Sequence, residues 1–472
     1  MKNTVCQICH AATGMIIANS IELGPIIRIT PDEIHVNDVA FLDTIYAPPS
    51  SRRDKYARNL KQLRVPGSVG ATVSFDVHKK RREALPPFFS KRNVLYLEPM
   101  ITAKVQQLCD VISSHVVDKS PLNLSGVLFA FSNERGIAEN FLFAHEINNL
   151  ADEKKAASLR RNTYQLLRGV HRNKHMSWIP DLLEKLPKSM TKPIMPPGLA
   201  DIFALLARVR AELVTIMEAK ASGNINKSLG PTGKESVYDS VLDNTSLPES
   251  EKSLPRLQNE GALLVLAGTE SRTKTLSIVF YHLISNPPIL AKLRKELKSL
   301  PDNVTWTQLE QLPYLSAVIE EGNRLAFGVT ARAARISYKP LRYTPSQYVT
   351  NPSKFSKSYV ILPGTPISTT TLSAHTAASV FPDPFTFKPE RWLGEYGRVL
   401  RKFQMAFGKG GRKCLEIELA RAELLLATAA LVRKFEMKLW NTDESDVAFG
   451  HDWQVSHPNL ESEGIRVMVE AV

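Results

Sequence analysis

The chain has 472 residues, 43% of them hydrophobic and 23% charged, with a formal net charge of +13. That composition supports a large buried core and excludes a disordered, collagen-like or disulfide-scaffold protein, and four scattered cysteines suit a reducing compartment. A basic balance admits nucleic acid, an anionic membrane or an acidic protein as partner. With no zinc-finger spacing, RNA-binding aromatic motif or Lys/Arg tail, no nucleic acid is expected.

The first 20 residues carry one Lys and a short apolar patch, Met15 to Ala18, so they make a poor signal peptide. Cys6-Gln7-Ile8-Cys9-His10 matches the attachment pattern of c-type haem, but it sits at the N-terminal end with no surrounding cytochrome c pattern and reads as a chance cluster. No run of 18 apolar residues occurs, so no membrane-spanning helix is expected. Ile21 to Val39 alternates in hydropathy and reads as two short strands around a turn at Thr30-Pro31-Asp32.

From Asp76 the chain is strongly basic. His78 and Arg82 are one helical turn apart, on one face, where a basic pair suits carboxylates; the competing reading is a solvated helix with Lys79, Lys80 and Arg81. Residues 95 to 220 are mostly helical in period, broken by prolines at 121, 180, 187, 193, 196 and 197. Residues 222 to 236 form a polar Gly/Ser/Lys stretch, read as a connection within one domain.

Gln258 to Ser285 reads as one long helix stopped by Asn286-Pro287-Pro288. It is interrupted by Gly268-Thr269-Glu270-Ser271, where Gly weakens the helix by about 1 kcal/mol and an acid beside a hydroxyl has no packing reason to stand. Glu321 and Arg324 follow, three apart on a helix and able to pair. Ala331 to Ile336 and Tyr359 to Ser368 read as strands around turns, and Pro389-Glu390-Arg391-Trp392 lies beyond.

Phe407 to Ala420, F-G-K-G-G-R-K-C-L-E-I-E-L-A, is the stretch around which the rest is organised. Cys414 follows a glycine-rich basic loop and opens an apolar-periodic helix. A helix N-terminus with Arg412 and Lys413 nearby favours a thiolate, the glycines permit close approach to a flat ligand, and Phe407 offers an aromatic wall. A thiolate so placed suits haem iron.

The spacing F-x-x-G-x-R-x-C, met by Phe407, Gly410, Arg412 and Cys414, resembles the haem-binding signature of the cytochrome P-450 family. The other markers resemble that family in the same order: the basic helix, Ala267-Gly268-Thr269-Glu270-Ser271, the E-x-x-R helix and the P-E-R-W segment. The likeness covers roughly Gly24 to the end and is nearest to fungal haem monooxygenases of secondary metabolism, including trichothecene-pathway oxygenases.

The resemblance implies a mainly α fold with small β-sheets, a single P-450 domain over 24–472 after a poorly defined 1–23 that lacks the usual anchor. It implies haem b with Cys414 as axial ligand, His78, Arg82 and Arg335 around the propionates, Arg332 competing with Arg335, and Arg412 and Phe407 of the loop as further cofactor-binding residues. Gly268 would open a groove for O₂, Glu270 and Ser271 would deliver protons there, and Glu321, Arg324 and Arg391 would form a structural charge triad. It further implies NADPH-derived electrons through an NADPH-cytochrome P-450 reductase docking at Arg401, Lys402, Lys409 and Lys413, a small hydrophobic substrate, and the endoplasmic reticulum surface, or the cytoplasm without an anchor.

Three positions depart from the family pattern. Ser271 replaces Thr, Glu416 replaces a Gly two residues after Cys414, and Arg272 replaces a small hydroxyl residue and is placed to pair with Glu270. They motivate the alternative of a haem-binding but catalytically impaired homologue.

Overall fold

A 32-residue helix, Leu254–Ser285, sets the layout. It begins four residues before the expected start, because Pro255 in its first turn is compatible with a helix whose first N–H groups are unpaired in any case. In a computed structural model, residues 22–85, 89–133, 150, 153–176, 178–186, 197–222 and 236–471 are described. The Cys6–His10 cluster, most of the polar stretch at 222–236 and most of the proline-rich segment after residue 186 lie outside them.

The helices used below are α1 (Phe75–Glu83), α2 (Lys91–Asp118), α3 (Leu124–Ser132), α4 (Glu153–His175), α5 (Pro197–Ala221), α6 (Leu254–Ser285), α7 (Pro313–Ala326) and α8 (Ile417–Lys434). Helix α6 packs against α3, α5, α7 and α8, and α8 in turn lies against α2. Nearly every residue of α6 from Leu276 to Leu283 is buried, so the helix is held by apolar packing on several sides.

The strands are short: β1 (Ile26–Arg28), β2 (Ile34–Val36), β3 (Asp54–Lys55), β4 (Leu122–Asn123), β5 (Arg335–Ile336), β6 (Leu341–Tyr343), β7 (Tyr359–Ile361), β8 (Pro366–Ser368), β9 (Phe435–Leu439), β10 (His451–Asp452), β11 (Ser456–His457) and β12 (Arg466–Ala471). The first hairpin falls where the alternation placed it, with Ile26 opposite Val36. Its sheet runs β1-β2-β8-β5-β3, which brings Lys55 opposite Arg335.

Two apolar clusters result. The larger joins the long helices and includes Leu128, Leu264, Leu276, Leu315 and Leu425. The smaller, with Val36, Ile45, Tyr343, Ile367, Trp392 and Met405, lies under the first sheet. Met405 opens the loop that carries Cys414, so that loop is rooted in the smaller core while α8 leaves it into the larger one.

Candidate haem-thiolate site

The loop from Met405 to Glu416 is fixed at several points. Gly408 N–H donates to Met405 O (2.8 Å), Cys414 N–H to Phe407 O (2.7 Å) and Gly411 N–H to Ala47 O (3.0 Å). Gly410 has φ +69°, and a Cβ there would run into the carbonyl oxygens of Tyr46 and Ala47. These contacts press the glycine loop against residues 46–49, a neighbour that the sequence reading did not supply. Gly410→Ala should therefore lower the urea midpoint by the equivalent of about 2 kcal/mol or more. Gly364→Ala is the control: φ is +82° but nothing lies within 4 Å, so backbone strain alone acts there. Equal losses in the two variants would remove the contact argument.

Cys414 does not open the helix: α8 starts at Ile417, with Glu416 at the cap position. The sulfur accepts the Glu416 backbone N–H, yet the thiol is pushed up to about 11, first by burial and then by the Glu416 carboxylate, against Arg82 and Arg272. The thiolate expected from Arg412 and Lys413 is thus not produced by those residues. Arg412 turns away to donate to Thr72 O (2.8 Å) and Val73 O (2.7 Å), and Lys413 is exposed. A bound metal cation is the agent able to deprotonate a thiol held this way.

Around this loop five basic side chains gather from separate elements. Lys55 comes from β3, His78 and Arg82 from α1, Arg335 from β5 and Arg412 from the loop. Arg82 donates to Lys413 O (2.8 Å) and Lys55 to Gly70 O; Arg335 donates to Ala333 O (2.9 Å) and lies over the Tyr46 ring. Burial lowers the pKa of each, and repulsion from neighbouring cations adds to it at Lys55, His78 and Arg412: His78 falls to about 3, pressed by Arg412, Lys55, Arg82 and Arg335. Among the described residues none of the five forms an ion pair, and the buried Arg412 Nε has no hydrogen-bond partner. A cluster of cations with no ion-paired acid, Asp54 acting on Arg412 only at a distance, is suited to an anion carrying more than one carboxylate. Arg332 is committed to Glu33 at 3.2 Å, which leaves Arg335 as the free arginine of the two. Lys55 was missed in the sequence, where a two-residue strand gives no signal.

The α6 residues Leu266 and Ala267 are exposed in the middle of an otherwise buried helix, and Ser271, one turn on from Ala267, is half-buried. Ser271 Oγ makes only a long contact to Ala267 O, 3.4 Å. Glu270 points elsewhere, toward Arg160 of α4 and Lys274; burial raises its pKa to about 7 against both cations, and its Oε1 is buried without a partner. Lys274, lowered to about 7 chiefly by burial, donates to Val447 O at 2.9 Å.

Arg272 does not pair with Glu270. Residues two apart on a helix lie about 200° around it and cannot face one another. Arg272 pairs instead with Glu423 of α8, and its Nε donates to Gly268 O. Nor is Gly268 an open groove: a Cβ there would meet the Arg272 guanidinium and lie 3.1 Å from Glu416 Oε2.

Behind the loop, Glu321 carries an extended network. Arg324 donates to both its oxygens (2.8 Å each), Arg391 Nε to Oε1 (3.0 Å), Trp392 Nε1 to Oε2 (2.9 Å) and Lys388 N–H to Oε1 (2.9 Å). His375 links this network to the loop. Its Nε2 accepts the Met405 N–H (2.8 Å), so Nδ1 must hold the proton and donate to Arg324 O (2.8 Å). That role was not read from the sequence, where His375 stands 30 residues before Met405.

Burial lowers His35, His78, His375 and His457 to about 3 and His282 to about 4, so all are neutral near pH 7. Their folded pKa lies below the unfolded 6.5, so the stability they contribute is present above pH 6.5 and lost as pH falls through the folded values. Glu270 and Glu416, raised from 4.5 to about 7, act with the opposite sign between pH 7 and 4.5. Acid titration of the urea midpoint should therefore be less steep from pH 6.5 to 4.5, where two carboxyls offset part of the loss from five histidines, than just below pH 4.5. It should steepen below 4.5, by about 1.4 kcal/mol per pH unit for each histidine left uncompensated. A uniform slope across both windows would contradict this balance.

The family model described as Cytochrome P450 matches residues 51–460. Cytochrome P450 monooxygenase TRI4 of Trichoderma arundinaceum is 34% identical over 446 residues, 92% of this chain and 81% of the relative. Cytochrome P450 monooxygenase tpcC of Cochliobolus heterostrophus is 33% identical over 462 residues, covering 94% and 85%. Conidiogenone synthase PchP450 of Penicillium rubens is 33% identical over 453 residues, 96% and 87%. A solved structure of a cytochrome P450, CYP102L1, superposes with a TM-score of 0.70 over 98% of this chain and 94% of its own, at 19% identity, and so speaks for the fold alone.

Proposed function

This chain belongs to the cytochrome P450 monooxygenase family, and from that premise we propose that it binds haem b through Cys414 and inserts one oxygen atom of O₂ into a C–H bond of a small hydrophobic secondary metabolite, a terpenoid or polyketide. The observation that carries the reading is the Cys414 sulfur, with an N–H donor, beside five basic groups that form no ion pair among the described residues. Haem iron, when bound, supplies the oxygen activation.

The chain's own residues do the rest. His78, Arg82, Arg335 and Arg412, joined by Lys55, would hold the two propionates, which would supply counter-charges. Phe407, whose carbonyl accepts the Cys414 N–H, would add an aromatic contact to the cofactor. The exposed Leu266 and Ala267 face an apolar substrate. Ser271 Oγ, weakly engaged, positions a proton at that face. Glu270, with a pKa near neutrality and Lys274 beside it, exchanges protons with the outside. Glu321, Arg324, Arg391 and His375 hold the loop rigid behind the sulfur.

Electrons come from NADPH through an NADPH-cytochrome P-450 reductase. Exposed Arg401, Lys402 and Lys413 offer it a basic docking face, while Lys409 is partly engaged by Asp43 at 2.9 Å. No described helix is long and apolar enough to cross a membrane; the proposed place of action is the endoplasmic reticulum surface.

The first test is the reduced, CO-bound absorption spectrum of the purified protein. The red-shifted Soret band of thiolate ligation is expected, and its loss in Cys414→Ser; a folded wild type without that band would overturn the ligand assignment. Product identification in a host expressing the chain with a reductase tests turnover. The alternative, a haem-binding but impaired homologue, is favoured by one observation, the Arg272 and Glu416 side chains over Gly268. It predicts NADPH consumption without product.

A further inference from the structure

Arg272 and Glu416 are separate anomalies in the sequence; in the structure both side chains reach the space over Gly268. The Arg272 guanidinium is buried and donates to Gly268 O, to the Glu423 carboxylate and, at 3.4 Å, to Ser132 O of α3. Glu416 and Glu423 are also buried, and Arg272 is the cation that acts on both acids. Glu416 Oε2 and Arg272 Cζ each lie 3.1 Å from where a Gly268 side chain would begin. The space that both side chains enter is therefore the space that a glycine leaves.

From this geometry, and resting on the haem-thiolate reading above, we infer that Arg272, Glu416 and Glu423 form a buried clasp that positions the Cys414 loop against the oxygen-side helix, with Arg272 and Glu416 a matched pair.

The argument is one of charge and place. A buried ion that loses its partner is strongly destabilising, whereas removing both partners together can be close to neutral. Glu416 supplies the N–H that the sulfur accepts, so its backbone fixes the sulfur while its carboxylate lies over Gly268 of α6 in the field of Arg272. The clasp connects α3, α6 and α8 at the height of Gly268, and any displacement of Glu416 is passed to Cys414 two residues away. Reverting either residue alone to the family type is therefore harmful, contrary to the expectation that each departure is a separate defect.

The test is a double-mutant cycle on the haem-loaded protein: Arg272→Thr, Glu416→Gly and the double variant, with Arg272→Lys as conservative rescue. The readouts are the fraction of iron showing the thiolate-type CO-bound band and the thermal midpoint. Arg272→Thr strands two carboxylates, and the thiolate-ligated fraction should fall by roughly half or more. The double variant should recover the share of the loss owed to Glu416, Glu423 still lacking its cation, with a coupling of roughly tenfold or greater in the folding equilibrium constant, and Arg272→Lys should retain the band. Additive losses, or a double variant no better than Arg272→Thr, overturn the matched pair, as does failure of all the variants, the lysine included, to fold. If the wild type itself lacks the band, the haem-thiolate reading has failed; if it shows the band while the cycle is additive, only the clasp has.

Discussion

Glu321→Ala is expected to be the most destabilising single substitution considered for this protein. The carboxylate is fully buried and serves two arginines, an indole N–H and a backbone N–H. Removing it leaves Arg324 and Arg391, both buried, without their anion. Breaking a buried pair from one side costs about 3–5 kcal/mol, against a total stability of about 5–15 kcal/mol for a typical domain. The loss should propagate, because Arg324 O accepts the His375 proton and His375 accepts the Met405 N–H. We expect a large drop in urea midpoint together with loss of the thiolate-type spectrum. Glu320→Ala on the same helix is the control. Its 3.6 Å pair with Arg421 is partly exposed, so the change should cost about 1 kcal/mol or less. A Glu321→Ala protein as stable as the Glu320→Ala protein would show that the network does not support the loop.

Arg335→Met is expected to act in opposite directions on the two forms of the protein. Without haem, Arg335 is a buried cation beside Arg412, Lys55 and His78, and burial already lowers its pKa. A neutral side chain of similar length relieves that repulsion, so the haem-free protein should be no less stable than wild type. With haem, the charge-assisted hydrogen bond proposed between Arg335 and a propionate would be lost, worth about 1.5–3 kcal/mol and so about 10- to 150-fold in affinity. Thermal midpoints of the haem-free form and the rate of haem transfer to an excess scavenger measure the two effects. Unchanged haem retention would sink the propionate role of Arg335.

Much of the fold was legible because local chemistry announced it. The hairpin at Ile26–Val36 alternates, the long helix ends at two prolines, and Glu321 with Arg324 has helical spacing. The misplaced features share one cause. Cys414 was put at the helix start because a basic loop precedes an apolar period, but the helix begins three residues later and its nearest charge effect comes from Glu416. Arg272 was assigned to Glu270 by proximity in sequence, although helical geometry separates them by about 200°. That error could have been avoided from the sequence, since only α6 was needed to see it.

By itself the sequence determined the residue types at each motif, their order and their helical or alternating period, and hence the family and the cysteine to examine. It could do so because those signals are local: they depend on spacing within one turn or one hairpin. The tertiary structure alone decided which charges meet. Lys55 beside Arg335, His375 beneath Met405, and Glu416 with Glu423 around Arg272 are contacts between segments brought together by packing. Their consequence is electrostatic, and buried charges depend on what surrounds them in space, a quantity that spacing along the chain does not contain.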